Sequence, residues 1–587
     1  MSPATAVVDG VIEDAAVSVP VRRPGVSRYV EPLEAVSRLD RLDVEAGGAP
    51  RVVVTGAPGV GTSALVAWWA ARTAHRFPGG VRCLDVRERP GVSVAAVLAG
   101  WLREMGLDPE AVSGEEAALV AVWRAVTAER PVTLVLDHVV DRVLGVVEAL
   151  LPGPGSAVLI TSVDRLSDWR RARGFALTRL GPLAPEGAVA VMRAWLDPAD
   201  PRAEPKRLGP VAWRLGSVPL ALATAGALLA AHPGLTPEEL AAVLPAPAVG
   251  PGPAIEATLA ASVAALDEPM RRLFLAVGWH PGPTAGVAAV AAGLEWSAAR
   301  VAAGCAALAE RTLLLRAGPG RWRVHHAHRA HLDTTTAAAA AWTAEDRDGV
   351  REGIIAWYAD RAAAAAVALD PHTRRHHPAL RATEPGAVFT TPADAHAWAL
   401  TARDTVVDVL DAAARHGHHD LTAALAEVMP AISPLAGRDP VALARADRHG
   451  HRAATALGQD VLAAVFLTRI CRGLTDQGVV DAAIAGGRDA VTAAAPNGDA
   501  EVAADAEAAL AAALHRAGRL DEALTHADRA TAHAERAGAP RVVARRLRER
   551  GAIHHERGDH TAAETDRALA TALLDGIGDD HEPHPAP

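Results

Sequence analysis

Glycine recurs at fixed intervals through the last third of this chain, and that recurrence constrains the fold more than any other feature. Gly458, Gly498, Gly538 and Gly578 stand 40 residues apart, and so do Gly478, Gly518 and Gly558. The second series opens the segments GVVDAAI, GRLDEAL and GDHTAAE. Two glycine series in one register mark the turns of stacked helix pairs, each of which buries its apolar face only against its neighbours. The spacing therefore predicts an α-solenoid over residues 397–580.

Composition agrees with a largely helical chain. Hydrophobic residues make up 50% of the sequence but aromatics only 3%, and the excess is Ala, Val and Leu, which favours closely packed helices. A length of 587 residues exceeds what one core supports and predicts about three to five domains. The net charge of -10 argues against coating nucleic acid. Cys83, Cys305 and Cys471 lie far apart without metal-ligand spacing, which predicts a reduced, cytoplasmic protein. The N-terminus carries acids where a signal peptide needs a basic start, and no run of 18 apolar residues occurs, so neither export nor a membrane partner is expected.

From about residue 50 to 165 the pattern changes. The runs RVVVT, VRCLDV, VTLVLD and SAVLITS alternate with longer Ala/Leu stretches, which is the grammar of a parallel sheet covered by helices. The first strand leads into Gly56-Ala57-Pro58-Gly59-Val60-Gly61-Thr62-Ser63, with Ala64 next. This fits G-x-x-x-x-G-K-[ST] everywhere except at the lysine. Small residues let backbone N–H groups turn toward a phosphate, and the helix that follows presents its positive end. Ser63 is placed to hold Mg²⁺, and Asp137 ends a later apolar strand as a Walker B carboxylate should. Thr62 removes a charge-assisted phosphate contact worth about 1.5–3 kcal/mol, so ADP or ATP binding with weak hydrolysis is expected, at most a weak ATPase. A nucleotide-free pseudo-NTPase scaffold acting through its repeats is the alternative.

At this point the text resembles a known family. RVVVTGAPGVGTSALVAWWAARTAHRFPGGVRCLDVR, VTLVLDHVVD, LLPGPGSAVLITS and GSVPLALATAGALLA resemble, in order, the motifs of bacterial NB-ARC proteins, signal-transduction ATPases with numerous domains found among antibiotic regulators. ALDEPMRRLFLAVGWHPGP and GRWRVHHAHRAHL look like that family's winged helix, and the repeat text resembles tetratricopeptide repeats with lengthened helices. The fold implied is mostly α: a leader at 1–27, an α/β P-loop domain at 28–168, a helical domain at 169–250, a winged helix at 251–335, a helical linker at 336–396, the solenoid, and a tail at 581–587. The resemblance also implies an ADP-locked regulatory switch with a protein partner on the solenoid, and it allows a homo-oligomer on activation. By position, Pro219 would pack near the base or ribose and His325 would touch the ADP β-phosphate. Arg165 is a displaced sensor candidate, because Ser162-Val163-Asp164 stands where the family tends to carry an arginine after Thr-Ser. His326 replaces the acid that usually follows the histidine. The family's usual N-terminal DNA-binding domain has no counterpart in a leader this short.

Histidines cluster at His325, His326, His328 and His331, at His376-His377, and at His416, His418 and His419. No H-E-x-x-H occurs, so solvated or helix-capping roles are expected. The segment GLEWSAARVAAGCAALAERT, where a recognition helix would lie, is too poor in charge to hold phosphates, so direct DNA binding is not expected.

Overall fold

The computed structural model describes residues 32–45, 49–87, 94–107, 116–245, 251–332, 343–433 and 440–576. The expected leader and tail, and Gly578, lie outside these residues. The chain divides into two compact units between Ile354 and Ile355.

The first unit is built on a five-stranded sheet. Strands β1 (Arg51–Thr55), β2 (Val81–Asp85), β3 (Thr133–Asp137), β4 (Ala157–Ser162) and β5 (Ala176–Arg179) run parallel in the order β2-β3-β4-β1-β5. Helices cover both faces, which is why β1, β3 and β4 read as unbroken apolar runs rather than alternating ones. Helices Val94–Glu104, Glu116–Glu129 and Leu144–Leu150 pack one face around Trp101 and Trp123. On the other, Leu33–Glu45 and Thr62–Thr73 pack around Leu39, Leu65 and Trp69. Strand β5 belongs to this sheet although it lies past residue 168, where the α/β domain was expected to end. Its four residues ALTR are mixed in polarity and sit at the sheet edge, so no apolar run announced them.

Helices Pro185–Arg193, Pro205–Arg214, Pro219–Ala231 and Pro237–Val243 form a second core that also takes in Ala254 and Ile255 of helix Pro251–Ala264. The bundle therefore extends past residue 250. Next come helices Glu268–Trp279, Val287–Leu294 and Ala298–Glu310 and a small antiparallel sheet of order β6-β8-β7, with β6 at Ala285–Gly286, β7 at Leu314–Gly318 and β8 at Arg321–Val324. Three helices are thus followed by a hairpin of β7 and β8 that turns at Pro319-Gly320.

The second unit is helical. From residue 440 its helices are Pro440–Ala456, Asp460–Asp476, Val480–Ala494, Ala500–Arg516, Leu520–Ala537, Pro540–Arg557 and His560–Gly576. The six glycines Gly458, Gly478, Gly498, Gly518, Gly538 and Gly558 separate them, each with φ between +64° and +90°. A residue with a Cβ adopts that conformation only at a cost, so glycine is the standard helix terminator there. After Gly458, Gly478, Gly518 and Gly558 the next N–H reaches back to the carbonyl of Ala454, Leu474, Leu514 and His554 respectively, the closure of a Schellman turn. Small residues set the helix spacing. A Cβ on Gly487 would lie 3.0 Å from Leu510 and 3.1 Å from the Cys471 sulfur, and one on Gly450 would lie 2.5 Å from the Phe466 ring.

Glu427 fastens this unit near its start. Its carboxylate accepts the backbone N–H groups of His376 (2.7 Å) and His377 (2.9 Å) and lies 3.2 Å from His376 Nδ1. Burial alone would push its carboxyl up, but the His376 ring and the two backbone N–H groups hold it below the usual range. Removing the carboxylate strands two inward-facing donors, so Glu427→Ala is expected to cost about 2–3 kcal/mol at neutral pH. A depressed carboxyl stabilises the fold above its unfolded pKa of about 4.3, and that stabilisation disappears as pH falls through the lower folded value. Urea melts at pH 7 and pH 3 check this: the gap between wild type and Glu427→Gln should narrow at the lower pH.

Candidate functional site

The strand order reverses around β1, whose neighbours are β4 and β5, and the carboxyl end of such a reversal is where open α/β sheets hold ligands. The glycine-rich loop lies there. Gly59 and Gly61 take φ of +82° and +96°, and a Cβ on Gly56 would meet the Leu180 carbonyl at 2.7 Å. Helix Thr62–Thr73 starts at Gly61 with no side-chain cap. Among the described residues the N–H groups of Gly61, Thr62, Ser63 and Ala64 find no protein acceptor, as the first turn of a helix leaves them. They form one row of outward donors at a positive helix end. Ala57 and Pro58 are exposed at the tip, while Val60 is buried and anchors the loop.

Ser63 and Asp137 lie together at this end of the sheet. Ser63 Oγ donates to Asp137 Oδ1 at 2.8 Å, and Thr161 Oγ1 donates to the same oxygen. The loop also touches the helical bundle: Leu220, next to Pro219, donates its N–H to the Gly59 carbonyl at 3.1 Å. Pro219 thus opens its helix beside the loop. Arg165 follows β4 on the same sheet end but is exposed. His325 is part-buried and caps the short helix His326–Arg329, its Nδ1 accepting from Ala327 N–H at 3.2 Å. The helix-capping reading also holds for His377, which accepts from Ala379 N–H at 3.3 Å.

Sequence reasoning overlooked a second cluster beside the loop. Strand β2 also ends in an acid, and its Asp85 lies in register with Asp137. The next residue, His138, takes φ +60°, a left-handed conformation uncommon for a residue with a side chain and one in which histidine is enriched. Its N–H is held by Thr161 Oγ1 at 2.9 Å. Its ring Nδ1 lies 3.0 Å from Asp85 Oδ1 and 3.6 Å from Asp137 Oδ2. The Arg323 guanidinium stands 3.7 Å from Asp85, and the His326 ring meets His138 edge-on at 4.6 Å between centroids. The available signal was that two adjacent strands, CLD and LVLD, both end in aspartate.

Burial and charge act in opposite senses here. Burial and the neighbouring Asp85 charge raise the Asp137 carboxyl against the pull of His138, Thr161 and Ser63. Burial would raise Asp85 too, but His138 and Arg323 bring it below the ordinary range. Burial disfavours charge on His138, yet the two carboxylates raise its pKa overall. His326, desolvated and beside His138, falls to about 3. Burial and the adjacent histidines hold His325 well below the ordinary imidazole value. Two carboxylates thus share one favoured cation, His138, while the neighbouring imidazoles stay neutral.

No family profile matches the chain. Over 282 residues, 46% of the chain, it is 30% identical to the regulatory protein AfsR of Streptomyces coelicolor, and over 296 residues it is 29% identical to AfsR of Streptomyces griseus. About half of the chain is thus similar to a segment of the AfsR regulatory proteins. That similarity is consistent with the regulatory family whose motifs the sequence resembles. The matched stretches span 28% and 30% of those relatives, so the chain covers less than a third of their length. Among solved structures, a signal transduction ATPase with numerous domains and a tetratricopeptide repeat sensor from Pyrococcus horikoshii aligns with 97% of this chain and 95% of its own, at 12% identity and a TM-score of 0.38. The RuvB Holliday junction branch migration motor of Thermotoga maritima aligns with 53% of this chain and 97% of its own, at 15% identity and a TM-score of 0.25. Among the described residues no helix is long and apolar enough to cross a membrane.

Proposed function

We propose that this chain is a nucleotide-binding regulatory switch of the NB-ARC type, with ADP or ATP held at the glycine loop and a protein partner docked on the repeats. One observation carries the reading: a row of unpaired N–H groups at a helix start, beside a Ser63–Asp137 pair, at the reversal point of a parallel sheet. That combination suits a polyphosphate and its metal. The description of its relatives as regulatory proteins supports the role.

In this reading the backbone from Gly56 to Ala64 cradles the phosphates, and Ser63 and Asp137 hold Mg²⁺, which would neutralise phosphate charge when bound. Pro219 and Leu220 fix the loop against the helical bundle and place the base or ribose. Arg165, on the open sheet end, is the side-chain cation available to a terminal phosphate. His325 keeps Nδ1 on its capping bond to Ala327 N–H, so its Nε2 is the atom it would offer to phosphate. Thr62 supplies no charge to the transferring phosphoryl group, so the chain binds and exchanges nucleotide rather than turning it over quickly.

The test is direct. Purified chain is denatured, any released nucleotide is identified, and the refilled or emptied protein is titrated with ADP. One ADP per chain is expected, weakened at least tenfold in magnesium-containing buffer by Ser63→Ala. An empty site, with no binding at millimolar ADP in either wild type or Thr62→Lys, overturns the switch reading in favour of a nucleotide-free scaffold.

A further inference from the structure

We infer that Asp85, Asp137 and His138, with His326 alongside, form a binding site for a divalent transition metal of the zinc class, distinct in donor chemistry from a phosphate-loop magnesium site. The ligand atoms of the first three lie within 4.8 Å of one another. The two separations at His138 Nδ1, 3.0 and 3.6 Å, bracket the spacing of about 3.3 Å that tetrahedral ligands at zinc–nitrogen and zinc–oxygen bond lengths adopt. A cation at the point they surround would replace the hydrogen bond between His138 Nδ1 and Asp85 Oδ1.

Three further features fit a metal better than a plain ion pair. The outer partners of the carboxylates are already set: Ser63 and Thr161 both bond Asp137 Oδ1, leaving Oδ2 toward His138, while Arg87 N–H bonds Asp85. Metal ligands are commonly fixed by such second contacts. The backbone at His138 is bent into the left-handed region to aim the ring at two acids, and strain of this kind collects at functional sites. The His326 ring faces the cluster, edge-on to His138 at 4.6 Å between centroids, and adds a further nitrogen donor beside it. Nitrogen donors select zinc, cobalt or nickel, whereas magnesium prefers an all-oxygen octahedron with retained water.

The inference does not depend on nucleotide binding, and the test is run without nucleotide. Full-length protein stripped with chelator is titrated with Co²⁺, whose visible absorption reports nitrogen-bearing coordination, and Zn²⁺ is then added in competition. Expected are one saturable Co²⁺ per chain, displacement by equimolar Zn²⁺ but not by millimolar Mg²⁺, and affinity reduced at least tenfold in His138→Asn and in Asp85→Asn. His326→Asn should weaken binding less than either. Thermal melts of each variant establish that it is folded. If a variant is not, the wild-type stoichiometry and Mg²⁺ competition decide alone. Absence of a saturable one-per-chain site, displacement by Mg²⁺, or unchanged affinity in folded His138→Asn and Asp85→Asn each overturns the inference.

Discussion

A chain carrying Thr62→Lys is expected to bind ADP and ATP about ten- to a hundredfold more tightly than wild type. Position 62 opens the helix whose first N–H groups have no acceptor among the described residues. A lysine there would add one charge-assisted contact to a phosphate that the backbone already surrounds. Such a contact is worth about 1.5–3 kcal/mol, and each 1.4 kcal/mol is tenfold in affinity. Thr62 is only partly buried, so the longer side chain meets no closed core. Titration of both proteins with ADP at fixed ionic strength reads the effect. Equal affinities would mean that the loop does not present its donors to phosphate.

Trp123→Ala is expected to remove about 3–5 kcal/mol from the core on one face of the five-stranded sheet. Trp123 is fully buried, its ring packs against Trp101 with centroids 5.3 Å apart, and its Nε1 donates to the Leu150 carbonyl at 3.0 Å. Truncation leaves a cavity between helix Glu116–Glu129 and the sheet, and it also leaves a buried carbonyl without that donor. Those two losses act on the same face of β3. Hydrogen exchange at the β3 and β4 amides should accelerate by two to three orders of magnitude if these strands open with the core. Unchanged protection there would show that the tryptophan pair is not central to this face.

Much of the architecture was legible because it is periodic. Glycine is required wherever a helix must end in a left-handed turn, so a repeat of helix pairs announces itself as a repeat of glycines. Strands buried on both faces must be continuously apolar, which made β1, β3 and β4 readable. The glycine loop, Ser63 and Asp137 were readable for a related reason, since their positions along a strand and a helix start fix where they meet. Strand β5 escaped because an edge strand of four residues buries too little to need an apolar run.

The Asp85–Asp137–His138–His326 cluster belongs to the other category. The sequence determined that two strands end in aspartate and that a histidine follows the second. Only the tertiary structure decided that β2 and β3 are neighbours in register, that His138 turns back in a left-handed conformation, and that β8 and the turn after it bring Arg323 and His326 onto the same spot. Periodicity records the contacts an element makes through its own geometry. Contacts among residues 85, 137 and 326 arise from how separate elements pack, and no local spacing encodes them.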